Sequence, residues 1–414
     1  MEEFIREQIK EKPLNKKKIF LRLGVSALCG LVFALVACLV FALAAPFFFK
    51  DKTGVTDNDS ETEFVPVISS ETEPEPETET KDTQKTIVKE LTISDYQRLQ
   101  NELYAVGNKV NSSIVSITRV ASDKDWFNNS YETVGTGAGL IISESDKEIL
   151  ILTEHRVVED AKSISVTFIN DESAEAKLKK YDGNTGIAIL SVSKEGLPSS
   201  VSNTIKVAEL TSSCTVTKGM ITIALGSPLG ANYSVLTGTI TSTDNEISTW
   251  DNNYSVFNSD IIGSKDASGI LVNVQGKVVG LVMQGFSGAG SGNTLTAVAI
   301  SEVEPLLKLL MNNKDVPYFG LQVVTVTSNI ADTYNLPSGV YIKDVKLDSP
   351  AMIAGIQVGD IITEINDVPI TTVSEYSAQI LGLSPGESYK VKYKRETKNG
   401  YTERTCMVEA GVLQ

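Results

Sequence analysis

Histidine is almost absent from this 414-residue chain: His155 is the single one. That excludes most His-based metal sites and leaves one imidazole able to serve as a base near neutral pH. Cysteine is scarce too, with four residues. Cys29 and Cys38 fall in an apolar run, while Cys214 and Cys406 fall in what read as separate domains. No disulfide framework and no Cys/His metal spacing follows from them, so no metal and no cofactor is expected. Basic residues are outnumbered, 37 against 52 acidic ones, for a formal charge of −15. This argues against a general nucleic-acid binder, which needs cations to neutralise phosphates. The length suffices for two or three domains with cores of their own.

Charge is also missing locally. No charged residue occurs from Leu23 to Phe49. At ~1.5 Å per residue that run is about 40 Å long as a helix, more than the ~30 Å hydrocarbon core of a bilayer. A signal peptide has a shorter apolar region, about 7–15 residues, so an uncleaved transmembrane helix is expected over 23–49, although Ala42, Ala44 and Ala45 would suit cleavage. Lys16, Lys17, Lys18 and Arg22 precede the run, and Asp51 with an acidic tract follows it. The positive-inside rule then leaves residues 1–22 in the cytoplasm and sends the rest across the cell membrane. Residues 50–95, with glutamate alternating with Thr and Pro from Glu71 to Glu79, cannot bury enough apolar area to offset their ordering entropy. They are expected to form an acidic disordered linker.

Beyond the linker, Tyr96, Leu99, Leu103 and Val106 recur at helical spacing and predict a helix over 94–110. Short apolar runs then alternate with Gly, Asn, Asp and Ser, at 114–117, 139–142, 149–152, 164–168, 187–192, 220–224, 235–240, 270–274 and 278–283. Such punctuation predicts a mostly β protein, built as a barrel or sandwich. Residues 300–310 read as a helix that closes this part.

Several stretches carry a family likeness. Residues 133–142 read Thr-Val-Gly-Thr-Gly-Ala-Gly-Leu-Ile-Ile, residues 152–158 Leu-Thr-Glu-His-Arg-Val-Val, and residues 182–190 Asp-Gly-Asn-Thr-Gly-Ile-Ala-Ile-Leu. With the segment from Asp260 to Asn273, they resemble in order and separation the HtrA/DegP family of trypsin-like serine proteases. Further on, Tyr318-Phe319-Gly320-Leu321 and the stretch from Ser349-Pro350-Ala351 to Gly359-Asp360-Ile361-Ile362 resemble that family's PDZ domain. The resemblance implies a trypsin-like double β-barrel over 96–312 followed by a PDZ domain over 316–414, and a homotrimer as the assembly.

The catalytic letters depart from the family's. An enzyme of this kind needs a Ser nucleophile, a His base and an Asp that orients the His. Aligned on Leu152-Thr153 and Val157-Val158, the base falls on Arg156, which stays protonated and cannot accept a proton. The acid falls on Gly186, and Asp182 matches the start of the preceding turn, a strand-length away. Anchored on Leu271-Val272-Asn273, the nucleophile falls on Ala267, and Lys265 replaces a glycine of the oxyanion loop. Two rescues stay open. His155 and Ser268 would serve in a shifted register, and Lys265 would activate Ser264 or Ser268 if burial lowered its pKa strongly.

The leading expectation is a membrane-anchored, extracytoplasmic pseudoprotease that acts as scaffold, sensor or chaperone. The alternatives are an active serine endopeptidase of envelope protein quality control using His155 and Ser268, and a regulatory subunit of an active homologue. In the family a peptide adds as a strand to a sheet edge, with its terminal carboxylate held by backbone N–H groups. Here Tyr318, Phe319, Gly320 and Leu321 would hold the carboxylate, Leu321 and Val323 would line the groove, and a helix over 373–381 would present Tyr376 and Ile380. Those groups point to peptides or unfolded proteins with apolar C-termini as partners. The other reading of the groove is an internal packing module covered by the barrels. The topology has its own test: protease added to intact cells should cut between Asp51 and Glu90 and release a soluble fragment. Protection until lysis would reverse the orientation.

Overall fold

The computed structural model describes residues 91–124, 130–288 and 293–413. The expected cytoplasmic segment, transmembrane helix and nearly all of the linker lie outside the described residues. Among the described residues, no helix is long and apolar enough to cross a membrane.

Helix α1 (Ile93–Val110) begins inside the stretch assigned to the linker. A capping box explains the early start: the Thr92 side chain accepts from the Asp95 N–H, and the Asp95 carboxylate accepts from the Thr92 N–H. Leu103, Val106 and Val110 pack onto the core between the barrels. Tyr96 and Leu99 of the same stripe remain exposed. Gly107 permits close approach, since a Cβ there would meet Val235 Cγ1 at 2.5 Å.

Strands β1 (Ile114–Lys124), β2 (Ser130–Glu144), β3 (Glu148–Glu154), β4 (Ala161–Thr167), β5 (Ser173–Tyr181) and β6 (Ile187–Ser193) close a barrel in the order β1-β2-β3-β6-β5-β4. Strands β7 (Ile221–Ser227), β8 (Ser234–Ser248), β9 (Asn253–Ile262), β10 (Ser268–Val272), β11 (Val278–Met283) and β12 (Thr294–Ala299) close a second, in the order β10-β11-β12-β9-β8-β7. Each barrel has its own core, around Ile117, Ile151 and Phe168 in the first and Phe257, Leu271 and Val279 in the second. A third cluster fills the seam: Leu140, Leu152 and Ile189 of the first barrel meet Leu225, Ile270 and Leu281 of the second. Helix α2 (Ile300–Met311) seals it with Val303, Leu306 and Leu310. This apolar seam fixes one barrel against the other and so sets the geometry of the strand ends that carry the site.

The last domain is a sheet of β14 (Leu321–Thr325), β15 (Val340–Val345), β16 (Ile361–Ile365), β18 (Ser388–Thr397) and β19 (Gly400–Glu409) in that order. Strand β17 (Val368–Pro369) lies beside β16, and β13 (Pro317–Tyr318) pairs with β20 (Gly411–Val412). Strand β14 is an edge. Helix α3 (Val373–Leu381) follows the span expected, with Thr372 and Glu375 forming its capping box. Tyr376 and Ile380 are buried in the same core as Phe319, Leu321 and Val323.

Candidate functional site

Strand β3 ends at Glu154, and the chain turns at once through a 3-10 segment, His155–Val157. The turn directs Arg156 across to the second barrel. Its Nε and Nη2 donate to the two Glu154 oxygens, both at 2.8 Å, and Nη2 also donates to the Ala267 carbonyl at 2.7 Å. A planar guanidinium suits this bidentate geometry in a way that lysine would not. Asp266 lies 3.7 Å from Nη1 but is nearly fully exposed, so it adds little. Burial pushes the Glu154 carboxyl up from its ordinary value, and the Arg156 hydrogen bond pulls it back. Desolvation works to lower Arg156, but the hydrogen bond and charge of Glu154 outweigh it and keep the guanidinium charged. The position matched to the base is thus filled by a fixed cation, clamped on both sides.

Gly186, at the position matched to the acid, adopts φ +76°. Its N–H donates to the Asp182 carbonyl at 2.9 Å, and its own carbonyl accepts the His155 N–H at 2.7 Å. Asp182 therefore shares this turn, which corrects the expectation that it sits a strand-length away. Its buried carboxylate accepts from the N–H groups of Asn184 and Thr185 and from Thr185 Oγ1. Burial pushes its pKa up. The group closes a turn and orients no imidazole.

Ala267, matched to the nucleophile, is fully buried. Its N–H donates to the Ser264 carbonyl at 3.1 Å, within the turn, so it is not aimed at a substrate oxygen. Ser268 is only 2% exposed, and its Oγ accepts the Ala138 N–H at 2.8 Å. It pairs with Ser227 on one side and Met283 on the other. The hydroxyl joins β2 to β10 and does not reach the cleft surface. The His155 ring stacks on Tyr181, with centroids 3.9 Å apart and planes at 11°. His155 and Ser268 thus have separate partners. Lys265 is exposed and lacks the burial a Ser–Lys pair requires.

The PDZ residues do converge, and the structure adds one that sequence reasoning missed. Asp251, in the turn between β8 and β9, is buried at the edge of the last domain. Its Oδ2 accepts the N–H groups of Phe319 and Gly320, both at 2.7 Å, and its Oδ1 accepts the Leu321 N–H at 3.1 Å. Tyr376 donates its hydroxyl to Oδ1 at 2.6 Å. The Asp251 N–H in turn donates to the Leu321 carbonyl at 2.7 Å, and Ser377 Oγ donates to the Asp251 carbonyl at 2.8 Å. Gly320 makes this loop possible. It has φ +88°, and a Cβ would meet Ser349 Cβ at 2.4 Å. Burial pushes the Asp251 carboxyl up, and the bonds from Gly320, Tyr376, Phe319 and Leu321 pull it down. The loop expected to stand open for a peptide carboxylate is therefore filled by a carboxylate of the same chain. Nothing local in Trp250-Asp251-Asn252-Asn253 signals its reach to residues 319–321.

The clamp makes a prediction about stability. Arg156→Ala strands Glu154, 5% exposed, without a counter-charge, which should cost about 3 kcal/mol. Glu154→Gln leaves a partly exposed arginine that can reach water, and should cost less. Chemical denaturation of the two variants checks the order; a smaller loss for Arg156→Ala would contradict it.

Comparison with known proteins agrees with this architecture. A trypsin-like peptidase domain profile matches residues 135–281, and a PDZ domain profile matches residues 317–403. "Serine protease Do-like HtrB" of Bacillus subtilis is 28% identical over 316 residues, covering 69% of this chain and 66% of that protein. "Serine protease Do-like HtrA" of Lactococcus lactis is 24% identical over 318 residues, covering 72% of this chain and 76% of that one. The solved structure titled "HtrA-type protease AlgW with decapeptide" superposes with a TM-score of 0.54 at 19% identity, covering 75% of this chain and 98% of that one. By both domain matches and by the order of its barrels and PDZ domain, the chain belongs to the HtrA/DegP-like family of trypsin-like serine proteases with a C-terminal PDZ domain.

Proposed function

We propose that this chain is a non-hydrolytic HtrA-like protein, anchored in the membrane by residues 23–49 with its folded domains outside the cytoplasm. In this reading it binds peptides or misfolded proteins with apolar C-termini, as scaffold, sensor or chaperone. The homotrimer is carried over from the family likeness as part of the same proposal.

The observation that supports it best is Arg156 in the place of the base, bonded to Glu154 and to the Ala267 carbonyl. A serine hydroxyl attacks a peptide carbonyl at neutral pH only when a neighbouring group takes its proton. A guanidinium cannot do so. Ser268 is hidden and already bonded to Ala138, and the Ala267 N–H is held by Ser264, so a nucleophile and an oxyanion donor are lacking along with the base. The cleft between the barrels and the PDZ core are nevertheless built in full, which suits a role in binding.

The full chain should cleave reduced casein no faster than buffer. Ser268→Ala should change nothing, and Arg156→His alone should not create activity, because acid and nucleophile are still missing. Cleavage above background that disappears in Ser268→Ala would overturn this reading.

A further inference from the structure

Asp251 presents the β8–β9 turn to the PDZ domain much as a terminal residue of a peptide would be presented. A terminal residue brings a carboxylate to the loop N–H groups and pairs its backbone with the edge strand. Asp251 does both, through its side chain at Phe319, Gly320 and Leu321 and through its own N–H at the Leu321 carbonyl. The next acceptor along that edge, the Val323 carbonyl, is taken by Asn253 Nδ2 at 3.3 Å. The turn is braced from behind as well. Asn184 Nδ2 donates to the Trp250 carbonyl at 2.7 Å, and the Trp250 N–H donates to Asn184 Oδ1 at 3.1 Å. Lys346 Nζ lies over the rings of Trp250 and Tyr318, at 5.9 and 5.6 Å.

Only one carboxylate can use this loop. Two anions sharing the same three N–H groups, in a buried site without a cation in contact, would repel strongly. The loop lies close against Ser349 and Tyr318, where a Cβ at Gly320 would already clash, and its three N–H groups are all taken by Asp251. A peptide strand added to β14 would also have to remove Asn253 from the Val323 carbonyl.

We propose that Asp251 is the internal ligand of the PDZ carboxylate loop, and that a peptide with a free C-terminal carboxylate enters only by displacing the β8–β9 turn. The inference rests on the peptide-binding part of the reading above and adds what gates it. Its consequence is mechanical: a bound peptide and the docking of the turn on the PDZ domain exclude one another, so capture of a C-terminus releases that domain from the second barrel at this contact. A site occupied by its own chain shows an apparent affinity reduced by the fraction of open molecules.

Binding of a fluorescent peptide ending in Val-Leu, with a free or an amidated C-terminus, to the full chain tests this. Asp251→Ala should tighten binding of the free acid about tenfold or more, the factor reporting how rarely the loop opens, and should leave the amide unbound. Tyr376→Phe removes one bond to Asp251 while keeping the ring, and should tighten binding by a smaller factor; it serves if Asp251→Ala misfolds. Hydrogen exchange at the Phe319, Gly320 and Leu321 amides should be slow in the natural chain and faster in Asp251→Ala. Equal affinity of the natural chain and both variants for the free acid would overturn the gate while leaving the peptide-binding reading standing. Opened amides in Asp251→Ala with no binding of any peptide would overturn both.

Discussion

A guanidinium held between Glu154 and the Ala267 carbonyl is the contact on which the cleft depends. A proton relay needs a group that can gain and lose charge close to neutral pH, set between an acid and a nucleophile. Arg156 cannot change its charge, and its donors are committed to the two sides of the seam. The contact therefore behaves as a strut joining the turn after β3 to the turn before β10. A buried ion pair is poor evidence of net stability, because desolvation offsets much of the attraction. Its effect here is positional: it holds both turns where a catalytic pair would otherwise meet.

A second buried charge follows the same physics. Asp251 loses its hydration on burial and recovers hydrogen bonds from three backbone N–H groups and the Tyr376 hydroxyl. The turn carrying it is hydrogen-bonded to Asn184, which lies in the turn closed by Asp182 and Gly186. Gly186 accepts the N–H of His155. Barrel turns and PDZ loop are thus joined by hydrogen bonds through the Asn184 and Asp251 side chains, with Asp251 as the piece that a chemically similar group could replace.

Much of this was legible in the sequence, for physical reasons that also mark the limits. Apolar runs such as Ile149–Leu152 and Ile187–Leu190 are buried on both faces, and an uninterrupted run reveals such strands. Strand β5 has three lysines and a single deeply buried residue, Ala176, so its wet face hid it. Strand β9 mixes buried Tyr254, Val256 and Phe257 with Asn and Ser, which blurs the alternation. Motif spacing placed Arg156, Gly186 and Ala267 at the strand ends where the structure has them, because Leu152-Thr153 and Leu271-Val272 are core positions that pin the register. The helix over 373–381 was legible, but Tyr376 and Ile380, expected to face a peptide, are buried in the domain core, with the Tyr376 hydroxyl on Asp251. Asp251 was not legible, since its role arises from a contact 68 to 70 residues along the chain, with Phe319, Gly320 and Leu321. No local pattern encodes that approach. The helix expected over 94–110 begins one residue earlier, at Ile93, where Thr92 and Asp95 form its capping box.

Reaction with an organophosphorus serine probe tests the central claim most directly, because it reads nucleophile activation without requiring a substrate. Incubated beside an active trypsin-like protease, the full chain should remain unlabelled at every pH where that control reacts. Covalent labelling of the natural chain that is lost in Ser268→Ala would contradict the account.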